Sequence, residues 1–145
     1  MSNFFGSTDF KGLIEKYCGQ KSWKIHEIDD RHAILQFNME SGRVQTLYII
    51  RYDSTLEFSV PSMAAFDSED KIPHFLSTIL LKKSAAQKIG FWTIEEIGGK
   101  HVYSIMQNVE MQSMNVDYFG NIVHALVQQC DEFEGLLLKM LEDSK

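Results

Sequence analysis

The chain has 145 residues and a formal charge of -6 from 14 basic and 20 acidic residues, enough length for one domain with its own hydrophobic core. Apolar residues make up 44% and charged residues 23%, a balance that excludes an extended disordered chain. The acidic excess, in which Lys82 and Lys83 are the sole adjacent basic pair, argues against phosphate backbones and anionic membrane surfaces as partners.

The opening MSNFFGSTDF has neither a basic start nor an apolar run of secretory type. No apolar stretch approaches the roughly 18 residues that span a bilayer. A cytoplasmic location is expected. Cys18 and Cys130 fit a reducing compartment, each as a small buried apolar residue of a helix and not as half of a disulfide. Two prolines and no linker-like stretch leave residues 1–145 as one expected domain.

The first periodic segment is STDFKGLIEKYCGQ, where Phe10, Leu13, Ile14 and Tyr17 follow helical spacing. Ser7, Thr8 and Asp9 are candidate caps and Gly19 a candidate stop, which predicts a helix over about residues 8–18. From Trp23 to Val60 the period becomes two. WKIHEI reads as a strand before the turn DDRH, and HAILQF, QTLYIIRY and TLEFSV read as an antiparallel meander. The loop Glu40-Ser41-Gly42 sets Leu35 opposite Leu47 and Ala33 opposite Ile49, and a turn at Asp53-Ser54 sets Ile49 opposite Phe58 and Leu47 opposite Val60. One face is then apolar in all three strands, and a slip of one residue would destroy that agreement.

DKIPHFLSTILLKKSAAQKIG predicts a second helix, with Asp70 at its front, Pro73 in the tolerated first turn and Gly90 at its end. Ile72, Phe75, Leu76, Ile79, Leu80 and Ala86 form its stripe. In FWTIEEIGGKHVYSIMQNVEMQ the pair Gly98-Gly99 is a two-residue hairpin turn. Closing it puts Ile94 opposite Tyr103 and Trp92 opposite Ile105 on one apolar face. Thr93 then faces Ser104, Glu95 faces Val102, and Glu96 faces His101. A phosphate-cradling role for the glycines fails, because a strand follows where a helix with Lys and Ser/Thr is needed. Phe91 pairs with Met106, so residues 107–112 overhang with apolar Val109 and Met111. Their backbone groups need a partner, either an earlier strand or a second copy of the chain.

A last helical segment covers about Asn115 to Glu142, as one helix or as two with a break near Gly135. Within it, VHALVQQCDEF brings a histidine, a cysteine and an aspartate close in sequence. At about 100° per residue, Ile122, Leu126, Cys130, Phe133, Leu137, Met140 and Leu141 share an apolar stripe. His124 and Asp131 fall on the opposite, solvent-facing side. Cys130 lies about 120° from His124, and Asp131 is two turns, about 10.5 Å, from it. No thiolate-base pair can form. The other histidines show no metal spacing. Glu95 and Glu96 point to opposite faces of a strand and make no acid/base dyad. No catalytic, cofactor or metal site is expected.

The order helix, strands, helix, two strands, helix resembles the secretion-chaperone-like fold of type III secretion chaperones of the Tir-chaperone (CesT-like) group and of the YbjN-like bacterial proteins. The resemblance runs from STDFKGLIEKYC through the FWTIEEIGGKHVYSIMQNVEMQ hairpin to FGNIVHALVQQCDEFEGLL. It implies an α+β fold, an antiparallel twisted sheet with helices packed on one face. It also implies a homodimer that holds an extended polypeptide client without catalysis or cofactor; a regulatory subunit acting on a signalling partner fits the sequence equally, and the charge speaks against nucleic acid and membrane. The overhang makes Tyr103, Ile105, Val109 and Met111 the candidate protein-binding residues. The alternative is a small-ligand sensor or minor enzyme, with a pocket between the sheet and helix two that uses His101 and Glu96.

Overall fold

The structure, a computed structural model, describes residues 9–144. The expected caps Ser7 and Thr8, and most of the opening segment, lie outside that range. Helix α1 is Phe10–Lys21. Asp9 is its cap, with Oδ1 accepting from the Gly12 amide at 3.2 Å, which satisfies one of the free first-turn donors. Strands β1 (Ile25–Ile28), β2 (His32–Asn38), β3 (Val44–Tyr52) and β4 (Thr55–Phe66) follow, then helix α2 (His74–Ala86), the hairpin β5 (Phe91–Ile97) and β6 (Lys100–Glu110), and helix α3 (Val116–Asp143). Short 3-10 turns at Glu69–Lys71 and Met111–Ser113 lead into α2 and α3.

The six strands form one antiparallel sheet in the order β1-β2-β3-β4-β6-β5. The expected registers hold: Leu35 opposite Leu47, Ala33 opposite Ile49, Ile49 opposite Phe58, and across the second hairpin Trp92 opposite Ile105 and Ile94 opposite Tyr103. The turns follow their chemistry. Asp29 Oδ1 accepts from the amides of Arg31 and His32 at 2.9 and 2.7 Å, an aspartate turn that closes β1 onto β2. Asp53 takes φ 53, and Gly98 and Gly99 take φ 58 and 81, the left-handed region that two-residue hairpin turns require.

The overhang of β6 is taken up by β4. Gln107, Asn108, Val109 and Glu110 pair with Phe58, Glu57, Leu56 and Thr55, and the Met111 amide donates to the Ser54 carbonyl at 2.7 Å. No second copy is needed there. Strand β4 runs past Pro61, where the sequence marked a break. Its ladder to β6 is interrupted between Pro61 and Ala65, so the proline sits at an irregularity and costs no ladder bond.

All three helices cover one face. Beneath them lie Ala33, Leu35, Leu47, Ile49, Leu56, Phe58, Val60 and Ile105, with Phe119, Ile122, Leu126 and Cys130 of α3 above. Phe119 packs its ring against Tyr17, Trp23 and Phe58 at centroid distances of 5.2, 6.1 and 5.9 Å. Helix α3 is continuous through Gly135.

Three local readings are corrected. Helix α2 stops at Ala86, short of Gly90. That glycine has φ 93, and a Cβ there would meet Ile105 Cδ1 and Leu126 Cδ2 at 3.0 Å, so it serves a close approach to the core and not a helix end. Leu141 stands 54% exposed, because α3 outruns the sheet beneath its stripe. Asp131 is buried, at 7% exposure, where the helical wheel put it in solvent. The β2–β3 turn wraps around that flank of α3, and Ser41 Oγ, Arg43 Nε and Gln45 Nε2 donate to Asp131 Oδ1 at 2.9, 3.1 and 3.1 Å. His124 is exposed, as expected.

Candidate protein-contact surface

Strand β5 ends the sheet, with β6 as its one neighbour. A free edge presents backbone donors and acceptors that another chain can pair with. Here the first is already capped: the Trp92 amide donates to Ser84 Oγ at 2.8 Å, and that hydroxyl donates to the Leu80 carbonyl at 2.9 Å. One serine thereby ties the edge strand to α2. The tie is doubled by Tyr103, whose hydroxyl lies 2.7 Å from Ser77 Oγ and donates to the Pro73 carbonyl at 3.2 Å.

Between these ties lies a cleft of ≈ 150 Å³ lined by Ser77, Leu80, Leu81, Trp92, Ile94 and Tyr103. The Trp92 ring lies 4.9 Å from that of Phe133 of α3, tilted by 59°, and its Nε1 is buried without a hydrogen-bond partner among the described residues. Of the residues that line the cleft, Leu81 and Ile94 are exposed by 64 and 45%. Two large apolar side chains left in water on one apolar cleft beside a sheet edge mark a candidate contact surface.

Leu81 could have been found in the sequence. At about 100° per residue it lies on the side of α2 opposite Ile79 and Ile72, so that helix is apolar on more than the face it buries. Ile94 could not, because its partner across the hairpin, Tyr103, is buried. The open cleft beside Ser77 and Leu81 of α2, not residue type, leaves Ile94 uncovered.

Tyr103, Ile105 and Val109 lie on the helix-covered side of β6, and Met111 follows its last residue. Tyr103 and Ile105 are buried, at 2 and 0% exposure, and Val109 and Met111 are half-buried against the core at the far end of the strand. Pairing of the overhang with β4 turned the shared apolar face inward. Tyr103 alone of the four reaches the cleft. Glu96 and His101 are opposite each other and line a second depression with Glu69, Ile72, His74, Ser77 and Ile94.

Both cysteines are buried free thiols. Burial pushes the Cys18 thiol up to about 11. Burial first, then the negative charges of Glu134 and Asp131, push that of Cys130 higher still. A thiol held so far above neutrality is no nucleophile. Among the described residues, no group of three or more His, Cys, Asp or Glu is placed to hold a metal ion, and no helix is long and apolar enough to cross a membrane.

No known family model matches the chain, and no curated protein matches it in sequence. In three dimensions it is similar to a chain of the HopA1–SchA chaperone–effector complex, with a TM-score of 0.61 and 12% identity over 91% of this chain and 94% of that one. It is also similar to YbjN from E. coli, with a TM-score of 0.56 and 13% identity over 81% of this chain and 82% of that one. At such identities the likeness concerns the fold, and the fold is the α+β, secretion-chaperone-like one, an antiparallel sheet with its helices on one face.

Proposed function

We propose that this protein is a non-enzymatic, cytoplasmic binding module of chaperone type, acting as a homodimer that holds a polypeptide client. The carrying observation is the exposed apolar pair Leu81 and Ile94 on the cleft beside the free edge of β5. An extended client segment can pair with the edge backbone and place alternate side chains on that pair. Similarity to a chain of a chaperone–effector complex supports the same reading. Tyr103 and Ile105 then act by shaping the cleft and its floor, while half-buried Val109 and Met111 offer contact at the far end of β6.

Affinity capture with the wild-type chain and with L81E/I94E tests the client role. Polypeptides retained by the wild type and lost from the variant support it, and identical retention overturns it. Light scattering coupled to gel filtration tests the dimer, which a monomer at micromolar concentration would sink. A small-ligand reading draws on one observation, the depression beside α2 that Glu96 and His101 line with His74 and Ser77. A saturable thermal shift with a single metabolite, abolished in H101A, would favour it.

A further inference from the structure

The sheet face away from the helices is unusually closed for a surface with nothing packed on it. Ser59 Oγ donates to Glu95 Oε1 at 2.9 Å. Ser59 is opposite Met106 and Glu95 opposite Val102 on the intervening strand β6. On a flat sheet, with ~3.3 Å per residue and ~4.8 Å per strand, the two backbones would stand about 16 Å apart. A serine and a glutamate together do not reach that far. The sheet therefore curls toward its helix-free side, and Ser59, Ser104 and Met106 are buried there, at 5, 0 and 8% exposure.

Inside the curl are two acids without a counter-charge. Glu57, facing the same side as Ser59, is held above the ordinary carboxylate range by burial and then by the charge of Glu95. Among the described residues no salt bridge reaches either carboxylate. Ser104 lies on β6 midway between the positions opposite Ser59 and Glu95, where their hydrogen bond crosses the strand. It is fully buried, and its Oγ has no hydrogen-bond partner among the described residues. The border is apolar: Tyr48 stands opposite Ser59 on one side, and Phe91 opposite Met106 on the other.

We propose that this curled face is a second recognition site, which takes an arginine side chain of a polypeptide segment whose neighbouring residues are apolar. The guanidinium offers five donors in a planar fork, enough for two carboxylates and a serine hydroxyl at once. Its flat face suits the aromatic border. Displacement of Glu95 from Ser59 uncovers Ser104 Oγ as an acceptor, so the stranded hydroxyl gains its partner when the ligand arrives. The proposal rests on the polypeptide-binding reading, and it uses the sheet face opposite the helices, away from the α2 cleft.

The test titrates the nitrogen-15-labelled full chain with the peptide acetyl-Gly-Leu-Arg-Val-Arg-Leu-Gly-amide, beside the same peptide with citrulline for both arginines, which keeps the shape and removes the charge. Saturable amide shifts are expected at Glu57, Ser59, Glu95 and Ser104. Citrulline in the peptide, or E57Q/E95Q in the protein, weakens them about ten-fold, the size of lost charged hydrogen bonds. The Glu57 carboxyl, followed by carbon-13, titrates lower with the arginine peptide bound. Equal affinity for the two peptides, shifts confined to α2 and the β5 edge, or no saturable shift overturns the proposal. Shifts confined to the β5 edge leave the client reading standing, since L81E/I94E capture addresses it independently.

Discussion

Arg43, in the turn between β2 and β3, reaches Asp131 of α3 twice, with Nε at 3.1 Å from Oδ1 and Nη2 donating to the Asp131 carbonyl at 2.7 Å. Glu134 Oε1 lies 3.5 Å from the same Nε, and Gln45 Nε2 donates to it at 2.7 Å. One cation therefore answers two buried carboxylates. Removing it leaves both in a poorly solvated site, so R43A is expected to lose about 2–3 kcal/mol in urea unfolding. K100A, which breaks the exposed Lys100–Asp67 pair, leaves the unfolding midpoint unchanged.

Phe119 touches three aromatic rings from α1, the β1 approach and β4. F119A opens a cavity at their common point and is expected to cost about 3–5 kcal/mol. L81E, at a residue 64% exposed, leaves thermal unfolding unchanged while abolishing client capture. That separation of stability from binding is what a contact residue predicts and a core residue does not.

Burial and the neighbouring Glu95 raise the Glu57 carboxyl in the folded chain. The folded state thus holds that proton more tightly than the unfolded state. The contribution to stability is full below the ordinary glutamate range and is lost as pH rises through the raised folded value. E57Q removes this loss. Denaturation at neutral pH is expected to show the variant more stable than wild type, with the gain vanishing in acid below the ordinary glutamate range.

Neither Cys18 nor Cys130 is expected to react with iodoacetamide in the native protein, since both are buried and both thiols are pushed up by that burial. Two alkylations should appear in denaturant, at a rate that follows global unfolding. Fast labelling of Cys130 under native conditions would show that α3 separates from β4 locally.

Local registers were legible because each rested on two agreeing signals, a turn of defined length and an apolar face in phase across it. Leu35, Leu47, Ile49 and Phe58 met both conditions, as did Trp92 and Ile105. What escaped depended on segments distant in sequence. Asp131 looked solvent-facing until a hairpin some 90 residues earlier folded over it, as the Ser41 bond to it records. The overhang could equally have met an earlier strand or a second copy, because nothing local showed that β4 would pair with it. Phe75 and Ile94 had the right type for a core and stayed exposed, because how closely α2 seats against the edge strand is a matter of tertiary packing that no local pattern shows.

The placement of the two tryptophans has a practical reach of its own. Trp23, edge-on to Phe37 at 5.3 Å, sits just before β1 at one border of the sheet, and Trp92 lies on β5 at the other. The molecule thus carries an intrinsic optical probe at each border. In W23F, emission comes from the indole in the α2 cleft alone, so occupation of that cleft can be followed in solution without any label.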